Sequence, residues 1–428
     1  MSSNNDPRDS SIMSRRRYLR VMGAAAAASV LGAGCQGQAG TAPTAVPPAT
    51  AAPATVAPPA ATAVPATAAA PIATRAPSAT SAPTAAPQAT AEPAATAAPQ
   101  PTAAPQAAAR VAIARADSYD PALVRKQVRA LIDDIGGLDD LVRSRPRVAI
   151  KVNLTGGTSS REVPGATPIE SFVTHPEVVR ALGEALLEAG ARELLIVEAV
   201  YEQASYTQWG YDEVARALGA TLIDLNDPHP YDQFASVPVG EGWLMYERFS
   251  LNHLLQEVDT FVSVAKLKCH QIAGVTLSMK NLFGLAPLRV YRRNWEDGYR
   301  TAFHGDAPET GSRVPRIVVD LNRARPIHLS LLDGIKTVEG GEGPWIATMA
   351  PVAAGVLIAG KNPVATDAVA TAVMGFDPRG SRPNAPFLNG DNHIAIAADL
   401  GLGTNRLDEI AVVGSSIDEV RRAFGPAI

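Results

Sequence analysis

Cysteine is almost missing from the chain: Cys35 and Cys269 are the only two in 428 residues. The first lies in a stretch that reads as an export segment, so no disulfide framework and no cysteine cluster is expected in a folded domain, and stability must come from packing. Aromatic residues are scarce, at 5%. A basic excess is missing too. Lys and Arg total 38 against 42 Asp and Glu, which leaves no cationic surplus to neutralise a phosphate backbone, and nucleic acid is not expected as a partner. The apolar run from Val21 to Gly34 is too short to span a bilayer. There is no G-x-S-x-G, P-loop, H-E-x-x-H or G-x-G-x-x-G in its proper context, so hydrolase, NTPase, zinc-protease and Rossmann readings lack their mechanical parts.

What is present at the N-terminus is an address followed by a tether. Ser14-Arg15-Arg16-Arg17-Tyr18-Leu19-Arg20 precedes the apolar run, a positive region and then a hydrophobic one, and it resembles the twin-arginine export consensus. Leu31-Gly32-Ala33-Gly34-Cys35 resembles a lipobox, with the leucine one place further upstream than the pattern has it. The resemblance implies handling by the twin-arginine translocase, acylation of Cys35, and a position on the outer face of the cytoplasmic membrane or the cell surface. Residues 1–35 are therefore read as signal. Residues 36–108 repeat Ala, Pro and Thr with almost no charge; they offer nothing large to bury and are expected to be a disordered, extended linker of roughly 3 Å per residue.

Residues 109–428 alternate short β-branched runs with amphipathic stretches. Strands are expected at 111–114, 147–154, 193–199, 221–225, 259–265, 328–332, 352–359 and 409–413, and helices at 121–134, 175–189, 211–218, 316–324, 364–374, 394–400 and 417–424. That rhythm predicts an α/β domain, a mostly parallel sheet with helices on both faces in three layers.

In such sheets ligands collect beyond the carboxyl ends of the strands. Lys151 and Asn153 close one strand ahead of Thr155-Gly156-Gly157-Thr158. The stretch Ala265-Lys266-Leu267-Lys268-Cys269-His270 leads on to Thr276 and Lys280-Asn281, so a buried strand runs straight into three lysines and a histidine. Two-residue periodicity places Lys266 and Lys268 on one side of an extended segment, and a helix over 276–281 lets Lys280 face them across a cleft. Clustered ammoniums require an anion: a bound carboxylate or phosphate, or acids from other loops. Asp333, Glu339 and Glu342 reach the same edge and leave the second alternative open. Asp367, behind the Asn362-Pro363 helix start, is open as a metal ligand or as a lysine partner. His175, His270 and His304 fall near loop ends, and Arg292 and Arg293 add charge further along.

These blocks resemble one family, the domain of unknown function DUF362, over roughly residues 110–425. Its hallmarks stand here as Lys151-Val152-Asn153-Leu154, Thr174-His175-Pro176, Lys266-Leu267-Lys268-Cys269-His270, Val275-Thr276 through Lys280-Asn281-Leu282-Phe283-Gly284, Leu332-Asp333-Gly334, Glu342-Gly343-Pro344 and Asn362-Pro363-Val364-Ala365-Thr366-Asp367. Val152 and Cys269 depart from the usual proline and threonine. Some members carry ferredoxin-type modules, but the cysteine runs those need are lacking, so no iron-sulfur cluster is expected; a divalent metal is left open. A looser likeness links the strand-to-His-to-Lys loop to nickel-pincer lactate racemase. The resulting expectation is an exported domain that binds or transforms an anionic small molecule. His270, Lys268 and Lys280 are the candidate catalytic groups, and Lys151, Asn153, Lys266, Thr276, Asn281, Asp333 and Glu342 the binding groups. The rival reading is a tethered, non-catalytic module that docks an acidic partner protein or an envelope polymer.

Overall fold

The computed structural model describes residues 109–428 apart from Arg145. The expected signal, Cys35 and the expected linker lie outside the described residues. Eight strands form one sheet: β1 (Ala109–Arg115), β2 (Arg147–Lys151), β3 (Glu193–Glu198), β4 (Thr221–Asp224), β5 (Thr260–Lys266), β6 (Leu329–Gly334), β7 (Val356–Gly360) and β8 (Ile410–Gly414). Their spatial order is β8-β1-β7-β6-β5-β2-β3-β4. β7 runs antiparallel to both of its neighbours, and every other pairing is parallel. The sheet is mostly parallel, as the alternating pattern predicts.

Side-chain alternation along the strands divides the core into two. Val148 and Ile150 of β2 join one cluster with Val128 of α1 (Pro121–Asp134), Leu182 of α2 (Pro176–Ala189) and Val214 of α3 (Tyr211–Leu218). Ala149 of the same strand joins the other, with Phe261 and, following α4 (Leu277–Asn281), with Val318 of α5 (Ala307–Ala324) and Val369 of α6 (Pro363–Val373). Residues two apart thus face one helical layer and their neighbours the other, which is the three-layer arrangement.

The departures from expectation have local causes. The expected strand over 352–359 is broken by Gly355, whose φ of +69° turns the chain between a short strand at Ala350–Val352 and β7. α5 starts nine positions before the expected 316, because its first turns contain Gly311 and Pro315, which mimic a break. The expected terminal helix over 417–424 stops at Val420. Two-stranded pairs at Ala235–Pro238 with Arg248–Leu251 and at Cys269–His270 with Gly274–Val275 are too short to show a period. Among the described residues no helix is long and apolar enough to cross a membrane.

Candidate functional site

The parallel strands bring their carboxyl ends to one edge, and polar residues close several of them. β2 ends in Lys151, which is fully buried. Its Nζ donates to a Glu198 carboxylate oxygen at 3.0 Å, to the Val152 carbonyl at 2.6 Å and to Asn281 Oδ1 at 3.1 Å. Glu198, the last residue of β3, also accepts from the backbone N–H groups of Leu154 (2.9 Å) and Ala199 (3.1 Å). Burial lowers the Lys151 pKa, and the Glu198 carboxylate opposes that shift. One position further along the sheet, Lys266 donates to Asp333 Oδ2 (2.9 Å), to the Tyr119 hydroxyl (2.9 Å) and to the Ile169 carbonyl (3.1 Å). Asp333 in turn accepts from Tyr119 (2.8 Å) and from the His175 N–H (3.0 Å), and the His175 ring stacks on Tyr119 with 3.6 Å between centroids. An ammonium has three protons, and both of these are fully used. The two pairs lock the strand ends together.

Beside them opens a cavity of about 450 Å³ counting its mouth, into which Lys268, His270, Thr276, Lys280, Asn281 and Asn153 project. Lys268 donates to the Phe172 carbonyl at 2.5 Å and to the Glu342 carbonyl at 3.0 Å, which leaves one proton for the cavity. Its reach toward Phe172, next to that of Lys266 toward Ile169, shows the two lysines on one side of the extended segment. Among the described residues Lys280 meets no hydrogen-bond acceptor and no acid; its Nζ stands 4.1 Å from the centroid of the Phe283 ring. Burial brings both lysines down to about 7. At Lys280 the carboxylate of Glu342 resists the shift, while Arg300 and Lys151 add to it.

His270 is set as a donor. Its Nδ1 accepts from the backbone N–H groups of Ile272 (3.1 Å) and Ala273 (3.3 Å), which assigns the neutral ring's proton to Nε2. Burial, then the charges of Lys280 and Lys268, hold its pKa well below the usual value, and His304 and His393 act in the same direction. The ring offered by the sequence as acid or base therefore presents an N–H. Two more polar groups complete the wall, for neither the buried Asn153 Oδ1 nor the buried Thr276 Oγ1 has a hydrogen-bond partner among the described residues. Glu342 lines the cavity with its carboxylate tied to the Gln271 N–H (2.9 Å) and to Trp345 Nε1 (3.1 Å).

The geometry of Lys280 comes from a clamp beneath it. The first residue of α4, Leu277, has φ of +41°, a strained value for a branched side chain. Asp367 of α6 holds the turn: its Oδ1 accepts from the Ser278 N–H (2.9 Å) and hydroxyl (2.5 Å), and its Oδ2 from the Met279 N–H (2.8 Å). Asp367 thus serves neither as a lysine partner nor as part of a metal cluster. Among the described residues no three His, Cys, Asp or Glu are grouped to hold a metal ion. Gly284 follows α4 where the backbone passes the Lys151–Glu198 pair, and a Cβ there would lie 2.7 Å from Lys151 Nζ and closer still to Glu198. Only glycine fits that position.

The cavity gathers Lys268, His270, Lys280, Asn153, Thr276, Asn281 and Glu342, while Lys151, Lys266 and Asp333 lie outside its wall in the two locked pairs. Glu339 goes to the Gly425 N–H, His175 caps α2, and Arg293 pairs with Asp306 at an exposed position. Sequence reasoning missed Glu198, Tyr201, Phe283 and Arg300. Glu198 had a signal, an acid closing an apolar strand as Lys151 does. Arg300, which donates to the Ala286 carbonyl at 2.6 Å and the Ala199 carbonyl at 3.3 Å, sits in an aperiodic loop and had none. Glu202 was missed too; it takes the Thr158 hydroxyl (2.7 Å) and the Ser159 N–H (2.9 Å), fixing the Gly156-Gly157 loop.

The model of a family described as a domain of unknown function (DUF362) matches residues 148–372, more than half of the chain. A thylakoid-associated protein of Synechocystis sp. is 28% identical over 277 residues, covering 63% of this chain and 75% of that protein. Among solved structures, the lactate racemase apoprotein from Thermoanaerobacterium thermosaccharolyticum aligns with a TM-score of 0.33 and 13% identity, over 57% of this chain and 53% of that one. A protein from Thermotoga maritima aligns with a TM-score of 0.32 and 17% identity, over 58% of this chain and 57% of that one. The chain spans little more than half the length of either structure.

Proposed function

The chain belongs to the DUF362 family, and on that premise we propose that its domain binds a small anionic molecule in the cavity between the sheet edge and α4. The observation that carries this reading is the state of Lys280: buried, with no ion pair and no hydrogen-bond acceptor among the described residues, in a wall that also holds the spare proton of Lys268 and the unpartnered hydroxyl of Thr276. A buried ammonium left without a partner is costly, and a carboxylate or phosphate oxygen offsets that cost. Thermal-shift titration with small carboxylates and phosphate tests it. A ligand present at a hundred times its dissociation constant adds about 2.7 kcal/mol to stability. We expect that gain in the parent and its loss in Lys268→Ala/Lys280→Ala; equal gains in both proteins would place the ligand elsewhere.

We further propose that the domain works outside the cytoplasm, exported through the twin-arginine route and anchored by an acylated Cys35, with residues 36–108 as its tether. The motif residues Arg15, Arg16 and Cys35 support this, and the thylakoid association in the name of the Synechocystis relative agrees with a place beside a membrane. Cells fed labelled fatty acid should label the parent protein and not Cys35→Ser; an unlabelled parent removes the anchor.

A further inference from the structure

We propose that Lys280 is a covalent site, whose amine condenses with the carbonyl of a small 2-oxo acid to form an imine while the acid's carboxylate rests on Lys268 and His270. The proposal rests on the anion-binding reading above and adds to it the class of the ligand and the bond it forms.

Four lysines are buried at this edge: Lys151, Lys266, Lys268 and Lys280. Lys151 and Lys266 spend all their protons on fixed acceptors and each faces a carboxylate, so neither nitrogen has a lone pair to offer. Lys268 is held by two carbonyls. Lys280 alone among the four is held by nothing polar, and it stands over an aromatic face. An amine becomes a nucleophile when an apolar surrounding and cationic neighbours favour its neutral form. Burial lowers the Lys280 pKa most, Arg300 and Lys151 act in the same direction against the Glu342 carboxylate, and the proton leaves near neutral pH.

Two groups of the wall are suited to the rest of the ligand. The spare Lys268 proton and the His270 Nε2–H form a donor pair for a carboxylate. This separates the group that grips the acid from the group that attacks the adjacent carbonyl, as orientation for attack requires. In the reaction the nitrogen lone pair forms the C–N bond while the carbonyl π pair moves to oxygen. The two amine protons then leave with that oxygen as water, and a C=N bond remains. No oxidant and no further reactant is needed.

The test is reductive trapping on the full chain. The protein is incubated with pyruvate or glyoxylate, reduced with sodium borohydride, and mapped by peptide mass spectrometry. We expect one stable adduct on the peptide carrying Lys280, suppressed by excess propionate, weakened in Lys268→Met and lost in Lys280→Arg, which keeps a charge but no usable lone pair. The site is mapped in the parent protein, so misfolding of a variant leaves the test intact. An adduct on any other lysine, or none, overturns the proposal. If propionate and pyruvate still raise the parent's melting midpoint without a trapped adduct, the imine fails and anion binding stands; if neither carboxylates nor phosphate stabilise the protein, the binding reading itself has failed.

Discussion

A buried lysine without an ion pair lowers the stability of the fold, and its pH dependence has a definite sign. Lys280 holds its proton in the native state only up to about 7, against 10.5 for an exposed lysine. Below that window both states are protonated and the folded protein bears the full cost of the buried charge. Within the window the unfolded chain still binds the proton that the native state has released, so stability rises with pH. Lys280→Met fills the same space without the charge. Near the lower end of the window it should be more stable than the parent by about 1–3 kcal/mol, an advantage that shrinks as pH climbs toward 10.5. Denaturant midpoints measured across the window check this; a gap that stays constant would mean that Lys280 keeps its proton in the fold throughout the window. At this scale the sequence was half legible. Density of charge after an apolar strand marked Lys268, His270 and Lys280, but nothing in it said that Lys266 would pair with Asp333 while Lys280 has no ion pair among the described residues. Which acid reaches which lysine is decided by loop paths that leave no period in the sequence.

At the scale of elements, the short helix α4 is the one that sets the site, and it is held by tertiary contacts because five residues cannot sustain a helix alone. Asp367 accepts three hydrogen bonds from its first turn. Its carboxyl is pushed up to about 7 by burial, against the pull of the Ser278 and Met279 donors. Between the usual 3.8 and about 7 the native state therefore holds a proton that the unfolded chain has lost, and stability falls as pH rises through that window. Asp367→Asn removes this slope. It also replaces one acceptor oxygen by an NH₂, leaving a backbone N–H of Ser278 or Met279 unpaired in the core, at a cost of about 1–3 kcal/mol. We expect a lower melting midpoint and a weaker carboxylate response together, measured by thermal shift with and without ligand. An unchanged response would show that Lys280 is placed without the clamp. Long elements were legible for the opposite reason. α1 has the bounds expected from its apolar period, Pro121–Asp134, since fourteen residues carry enough repeats to fix phase, while the pair Cys269–His270 with Gly274–Val275 carries none.

For the whole molecule, the topology makes the first described strand one that the sheet depends on. β1 lies inside the sheet, parallel to β8 on one side and antiparallel to β7 on the other. Its Val111, Ala112 and Ile113 are buried, and successive residues feed the two core clusters. The sequence marks β1 plainly, because the Ala/Pro/Thr repeat gives way to Val and Ile within a few residues. It did not show that the first strand would sit between the last strand and β7, a pairing that joins the two ends of the domain and has no local signature. The described strands of the sheet all lie within residues 109–414, and a protein without residues 1–105 should keep the parent's melting midpoint and its carboxylate response. Extending the cut through Arg115 strips β7 and β8 of their shared partner and opens both core clusters to water, and that protein should fail to give a cooperative transition. If the first cut alone abolishes folding, residues before β1 contribute to the core, and the division into tether and domain at residue 109 is wrong.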